Sequence, residues 1–139
     1  MELTLDEALR RGIEAHQSGN IQEAERFYTA ILKVDPRHPD ANHNLGVLGV
    51  NVGQLERALG YFKTAVEVIP EVEQYWLSYI GNLLDLNHVE EANVVFDEAR
   101  AKGFGGNPFD LKYSNSHMNF FKNLTVTATN FPDLSVLSM

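Results

Sequence analysis

The sequence lacks several features that would assign it to common functional classes. It contains no cysteine, so disulfide bonds and thiolate chemistry are excluded. It has no apolar run near the roughly 20 residues that a membrane-spanning helix needs, and its first residues do not resemble a signal peptide. It also has no cluster of Lys and Arg, and its net charge of −8 argues against nucleic acids and anionic membranes as main partners. We therefore expect a cytoplasmic protein.

Residues capable of catalysis or metal binding are present, but not in the patterns that such chemistry requires. His38 and His43 are five positions apart rather than four, so they do not share a helix face as a zinc pair would. We expect the histidines to be surface or turn residues. Residues 103–106 lack the Lys-Ser/Thr ending of a phosphate-binding loop, and acidic pairs such as Glu90 and Glu91 fit the solvated face of an amphipathic helix. The expectation is no enzyme activity, no metal and no cofactor.

The sequence does contain an internal repeat with a period of 34 residues. Residues 24–31, 58–65 and 92–99 each place an alanine, an aromatic residue four positions later and an apolar residue three positions after that. These three positions fall on one face of a helix. A fixed period of this length is the signature of stacked helical hairpins.

Punctuating residues divide the repeat region, residues 1–104, into three hairpins at about 5–38, 39–72 and 73–104. Thr4 and Glu7 form a capping box for the first helix, and Pro39 suits the first turn of a later one. Residues that tolerate a positive φ mark the turn within each hairpin, and they are Gly19, Gly53 and Asn87. Gly12 and Gly46, also one period apart, predict a close approach of the two helices of each pair.

The pattern resembles the tetratricopeptide repeat, whose signature is W-x2-L-G-x2-Y, then A-x3-F, then P. Leu45 and Gly46 supply the L-G, Ala58 and Phe62 the A-x3-F, and Pro70 the closing proline. The resemblance implies an all-α fold, a right-handed superhelix (α-solenoid) of three hairpins. Residues 35–46 are also similar to the repeat modules that precede bacterial O-linked N-acetylglucosamine-transferase-like enzymes, which implies kinship with those modules but supplies no catalytic domain.

The C-terminal segment, residues 105–139, changes composition: Ser, Thr and Asn dominate and the period ends. One interpretation is a capping helix, beginning near residue 107, that covers the third hairpin and is followed by a tail. The other is that residues 131–134 or their neighbours lie in a groove, either their own or that of a second molecule.

A stack of such hairpins has a concave surface lined mainly by the first helix of each pair. Helical phase predicts which residues line it. The predicted groove residues are Leu9, Ile13, Gln17, His43, Asn44, Val47, Asn51, Leu77, Ser78 and Asp85. Asn44 is the first candidate, because it matches the column of inner asparagines that grips peptide backbone in the glycosyltransferase-type modules. The alternative is that Asn44 only hydrogen-bonds within its helix pair.

The resemblance also narrows the class of partner that the groove could bind. Repeat proteins that hold the acidic C-terminal tails of chaperones use inner Lys, Arg and Asn residues, and the matching positions here include Leu9, His43 and Leu77. A terminal carboxylate would find no charge partner there.

We therefore predict a non-catalytic scaffold that binds a protein or peptide. The alternatives are a substrate-recruiting segment of a larger glycosyltransferase-like enzyme and a structural protein that assembles into homo-oligomers through its end faces or tail.

Overall fold

The computed structural model describes residues 3–104 and residue 127. Within residues 3–104 the chain forms six α-helices, and no strand occurs in this range. The helices are α1 (Leu5–Gln17), α2 (Ile21–Val34), α3 (Pro39–Asn51), α4 (Leu55–Val68), α5 (Glu73–Asp85) and α6 (Val89–Ala101). They pair as α1–α2, α3–α4 and α5–α6. The predicted all-α array of three helical hairpins is confirmed.

The helices begin where the sequence predicts capping. The hydroxyl of Thr4 accepts from the Glu7 N–H at 3.1 Å, and the Thr4 N–H donates to the Glu7 carboxylate at 3.2 Å, so both halves of the capping box form. Pro39 occupies the first turn of α3. The cap of α3 was not foreseen: His38 Nδ1 accepts from the Ala41 N–H at 3.1 Å. Orphan N–H groups of the first turn are thereby satisfied.

Each hairpin turn contains one residue with a positive φ, as its sequence predicts. The φ angles are 82° at Gly19, 80° at Gly53 and 63° at Asn87. Glycine adopts this region without steric cost, and asparagine is among the few other residues that tolerate it. These residues let the chain reverse within two or three positions.

Close contact between paired helices depends on the two glycines of the first helices. A Cβ at residue 46 would lie 2.6 Å from Cδ1 of Phe62, and one at residue 12 would lie 2.6 Å from Cε1 of Tyr28. Both distances are far below van der Waals contact, so only glycine allows the aromatic ring of the second helix to lie there. The predicted close approach is confirmed.

A single hydrophobic cluster runs through all three hairpins. The repeated positions lie at its centre, since Ala24, Ala58, Ala92 and Phe62 are all 0% exposed. No helix within the described residues is both long enough and apolar enough to cross a membrane.

The first helices of the hairpins form one layer and the second helices form another. Helix α3 contacts both α1 and α5. In a stack of helical hairpins the concave surface is lined mainly by the first helix of each pair. We call α1, α3 and α5 the inner layer, which forms the concave side of residues 3–104.

Candidate functional site: a main-chain clamp on the inner layer

Thr127, the described residue that lies outside the range 3–104, is bound to the middle of the inner layer. The Thr127 N–H donates to Oδ1 of Asn44 at 2.7 Å, and Nδ2 of Asn44 donates to the Thr127 carbonyl at 2.9 Å. Asn44 is 0% exposed and Thr127 is 9% exposed. One side-chain amide thus satisfies both hydrogen-bonding groups of one residue's main chain, and we call this pair of bonds the clamp.

The clamp requires an extended chain. A residue inside an α-helix has its N–H and C=O committed to partners along the helix axis, so one carboxamide cannot pair with both. In an extended strand the two groups of one residue point to the same side, as in the paired residues of an antiparallel ladder. Asn44 therefore acts like one residue of a neighbouring strand. These two bonds recognise the main chain.

His43, next to Asn44 on α3, completes the site. Its Nε2 lies 2.7 Å from Oγ of Ser78 on α5, and its Nδ1 lies 3.2 Å from Oγ1 of Thr127. Oγ of Ser78 in turn accepts from Nε2 of Gln74 at 3.1 Å. Burial lowers the pKa of His43 from 6.5 to about 4, against smaller raising effects of Asp40 and Asn44. The ring is therefore neutral at pH 7, with one nitrogen as donor and the other as acceptor.

Polar bonds also tie the inner helices to one another. His16 Nε2 on α1 lies 2.7 Å from Oδ1 of Asn51 on α3, and the Tyr75 hydroxyl on α5 donates to Oδ1 of Asp40 on α3 at 2.6 Å. Each of these two bonds, like the His43–Ser78 bond, joins residues that are 35 positions apart in the sequence. Since buried polar pairs fix one alignment of the groups they join, they hold the three helices in one register.

The structure brings three of the predicted groove residues together. Asn44 and His43 contact Thr127, and Ser78 joins them through its bond to His43. The side-chain bonds of Asn44 go to Thr127 and His43, and none reaches α4 within the described residues.

The remaining predicted groove residues lie elsewhere. Leu9, Ile13 and Val47 are each 1% exposed and belong to the hydrophobic core, as does Leu77 at 8%. Asn51 is exposed but bonded to His16. Gln17 and Asp85 are half-buried near the ends of α1 and α5. The apolar residues among the predicted groove residues are thus packed in the hydrophobic core and present little surface to a ligand.

The expectation that the histidines are surface or turn residues is wrong for His16 and His43, which lie inside α1 and α3 and are 2% and 0% exposed. His38 lies in the turn before α3, as predicted, although it is only 9% exposed. Each is buried with a partner: His16 with Asn51 and Tyr28, His38 with the first turn of α3, and His43 with Ser78 and Thr127. His16 follows Gly12 and Ile13 by one helical turn, and that spacing was the available signal of burial.

No group of three or more His, Asp or Glu side chains in the part of the chain that is described could hold a metal ion. The acidic pair Glu90 and Glu91 is exposed on α6, as predicted.

The C-terminal segment contributes Thr127 to the inner layer. Residues 131–134 themselves and the proposed capping helix lie outside the described residues.

A surface cavity of about 710 Å³ lies away from the clamp. It is confined to the first hairpin, where Leu5, Phe27, Ala30 and Val34 contribute apolar lining. None of its lining residues belongs to α3 or α5. The cavity is therefore separate from the site at Asn44.

Comparison with known proteins agrees with the geometry. A tetratricopeptide-repeat family model matches residues 15–78. Residues 15–78 are therefore similar in sequence to tetratricopeptide repeats. The fold is similar to that of the TPR2B domain in the "TPR2B-domain:pHsp70-complex of yeast Sti1", with a TM-score of 0.69 and 19% identity over 78% of this chain and 92% of that one. It is also similar to the Sgt2 TPR domain from Aspergillus fumigatus, with a TM-score of 0.67 and 21% identity over 85% of this chain and 76% of that one.

A relative by sequence is the human trafficking protein particle complex subunit 12, which is 39% identical over 51 residues. The match covers 37% of this chain and 7% of the human protein.

Proposed function

We propose that the repeats form a non-catalytic scaffold that binds an extended segment of protein on the inner layer. The observation that carries the proposal is the clamp, in which the buried carboxamide of Asn44 pairs with both the N–H and the carbonyl of Thr127. The fold presents a suitable surface, since the Sti1 domain of the same architecture was solved in complex with pHsp70.

The chemistry of the site indicates the kind of ligand. A clamp that reads the main chain accepts many sequences, provided that the bound residue is extended. The three side chains at the clamp, His43, Asn44 and Ser78, carry no charge at pH 7, since burial keeps the imidazole neutral. An acidic C-terminal carboxylate would find no cationic partner among these three, so we propose an internal extended segment as ligand.

Alanine substitutions of two asparagines, Asn44 and Asn93, test the proposal. Random nine-residue peptides displayed on phage are selected against the full chain carrying Thr127→Pro, because proline lacks the N–H that Oδ1 of Asn44 accepts and so leaves the clamp open. The affinities of the selected peptides are then measured by fluorescence polarisation. Asn44→Ala removes two hydrogen bonds of about 1 kcal/mol each, so we expect affinity to fall about thirtyfold. Asn93→Ala is the matched control, because Asn93 is exposed on α6. Equal binding by the Asn44→Ala and Asn93→Ala chains, with helicity unchanged, would refute the clamp.

A second candidate is a substrate-recruiting segment of a larger glycosyltransferase-like enzyme. It is supported by the main-chain grip of Asn44, the property that resemblance to such modules implies. Only one such asparagine acts here, because Ser78, in the corresponding place on α5, bonds to His43 instead. A catalytic domain encoded in the same reading frame or in an adjacent gene would support this candidate, and an isolated repeat gene would count against it.

A further inference from the structure

The clamp explains why a chain is held, but it does not explain why Thr127 is the residue held. Thr127 adds a side-chain contact to its two main-chain bonds. Its hydroxyl oxygen lies 3.2 Å from Nδ1 of His43 and 3.3 Å from Oδ1 of Asn44. All three groups are buried. The hydroxyl therefore lies where any unsatisfied hydrogen-bonding group would be costly.

We propose that the inner layer selects a residue with a hydroxyl side chain, threonine above all, at the clamped position, and that its resident ligand is Thr127 of the same chain. The proposal rests on the proposed function and deepens it. It assigns His43 as the residue that determines specificity. Any partner must then either carry a threonine or serine at this position or accept a weaker bond.

The hydrogen-bond inventory around His43 supports the selection. Nε2 of His43 is engaged by Ser78 at 2.7 Å, which leaves Nδ1 facing Thr127 and Oδ1 of Asn44. When Nδ1 is the acceptor nitrogen, the oxygen of Asn44 cannot satisfy it, because both are acceptors. The Thr127 hydroxyl is then the donor that Nδ1 requires.

In the other tautomer the hydroxyl again bonds to both groups, although Oδ1 of Asn44, 3.4 Å from Nδ1, offers the ring a second acceptor. When Nδ1 carries the proton, it donates to Oγ1 of Thr127 at 3.2 Å, and the Thr127 hydroxyl donates to Oδ1 of Asn44 at 3.3 Å. A hydroxyl serves both cases because it donates and accepts. A methyl group of the same size does neither, so valine would weaken the polar network in either tautomer.

Threonine suits the site better than serine for a second reason. Its branched Cβ restricts the side chain and favours extended backbone, the conformation that the clamp requires. Serine retains the hydroxyl without this preference. The order of ligands at the clamped position is therefore threonine, then serine, then valine or alanine.

The test uses synthetic peptides, whose substitutions leave the fold of the protein unchanged. The parent peptide has the sequence of residues 123–131, labelled with fluorescein, and its variants carry Thr127→Ser, Thr127→Val or, as a matched control, Thr129→Val. The protein is the full chain carrying Thr127→Val, which weakens the resident competitor. Fluorescence polarisation gives each dissociation constant.

We expect the Thr127→Val peptide to bind about fivefold more weakly than the parent, which corresponds to the loss of one hydrogen bond. The Thr129→Val peptide should equal the parent, and the Thr127→Ser peptide should lie within about twofold of it. The parent peptide should also bind the chain with native Thr127 more weakly than the Thr127→Val chain, because a ligand on the same chain competes at high effective concentration.

Two results would overturn the selection in distinguishable ways. If the Thr127→Val peptide matches the parent while Asn44→Ala in the protein abolishes binding of both, the clamp stands and hydroxyl selection is wrong. If Asn44→Ala leaves binding unchanged, the proposed function fails together with the selection. A His43→Leu chain should bind parent and Thr127→Val peptides equally, and retained discrimination in that chain would refute the role of His43.

Discussion

Gly46→Ala is the substitution through which the fold can be tested most sharply. An added Cβ would lie 2.6 Å from Cδ1 and 2.8 Å from Cζ of Phe62, with Cε1 nearer still. Phe62 is 0% exposed, and its ring also packs against His43, with ring centroids 5.3 Å apart. The ring cannot swing away without disturbing the site at Asn44.

The magnitude follows from two opposing effects. Overpacking of a close-packed site costs about 1 to 3 kcal/mol, and three atoms of a buried ring within 3 Å of the new Cβ indicate the upper end. Replacing glycine by alanine inside a helix raises the free energy of unfolding by up to about 1 kcal/mol. The net loss in the free energy of unfolding should be about 2 kcal/mol, or a fall of roughly 10 °C in Tm for a domain of this size.

Gly60→Ala is the matched control. Gly60 lies in the interior of α4, is exposed, and a Cβ there would meet nothing within 4 Å. This variant should gain about 0.5 to 1 kcal/mol, and its Tm should rise by roughly 4 °C. Urea denaturation and thermal melts followed by circular dichroism measure both. If Gly46→Ala proved as stable as the parent while Gly60→Ala was stabilised, the tight contact between α3 and α4 would be refuted.

Three further predictions concern the polar groups. Burial lowers the pKa of His43 from 6.5 to about 4. Between pH 6.5 and pH 4 the unfolded chain therefore binds a proton at His43 that the folded chain does not, so the free energy of unfolding falls as the pH drops through this range. His43 should lower the free energy of unfolding by about 2 kcal/mol between pH 7 and pH 5. Urea denaturation of a His43→Gln chain should show a free energy of unfolding that depends less on pH, and an unchanged pH dependence would contradict the attribution to His43. Tyr75→Phe removes the 2.6 Å bond to Asp40 and should cost about 2 kcal/mol by urea denaturation, whereas the control Tyr61→Phe, a half-buried tyrosine, should cost almost nothing. Thr4→Ala removes the cap of α1 and should cost about 1 kcal/mol; no loss in a thermal melt would mean that the capping box contributes nothing.

Local rules predicted the helical hairpins well. Capping, turn and proline signals gave α4 its bounds, and the columns spaced by one period identified Gly12, Gly46 and the turn residues Gly53 and Asn87. Such features depend on side chains within one turn or one hairpin. They are therefore visible in a short stretch of sequence.

The site was predictable only in part. Asn44 could be chosen because it falls on the inner face at a column known from similar repeats. Its partner Thr127 lies 83 positions away, outside the repeat, where no period or local pattern connects the two. The buried histidines were missed for the same reason, since the partners of His16 and His43 on the next inner helix are 35 positions distant.

The most direct test of the central claim is amide hydrogen exchange at residue 127, measured by NMR on the full chain. The Thr127 N–H is buried and donates to Asn44 at 2.7 Å, so it should exchange slowly in the parent chain and in the Asn93→Ala control, independently of protein concentration. In the Asn44→Ala chain the same amide should exchange at nearly the rate of a free peptide. Free-peptide exchange at residue 127 in the parent, or equal protection in the parent and the Asn44→Ala chain, would contradict a main-chain clamp at Asn44.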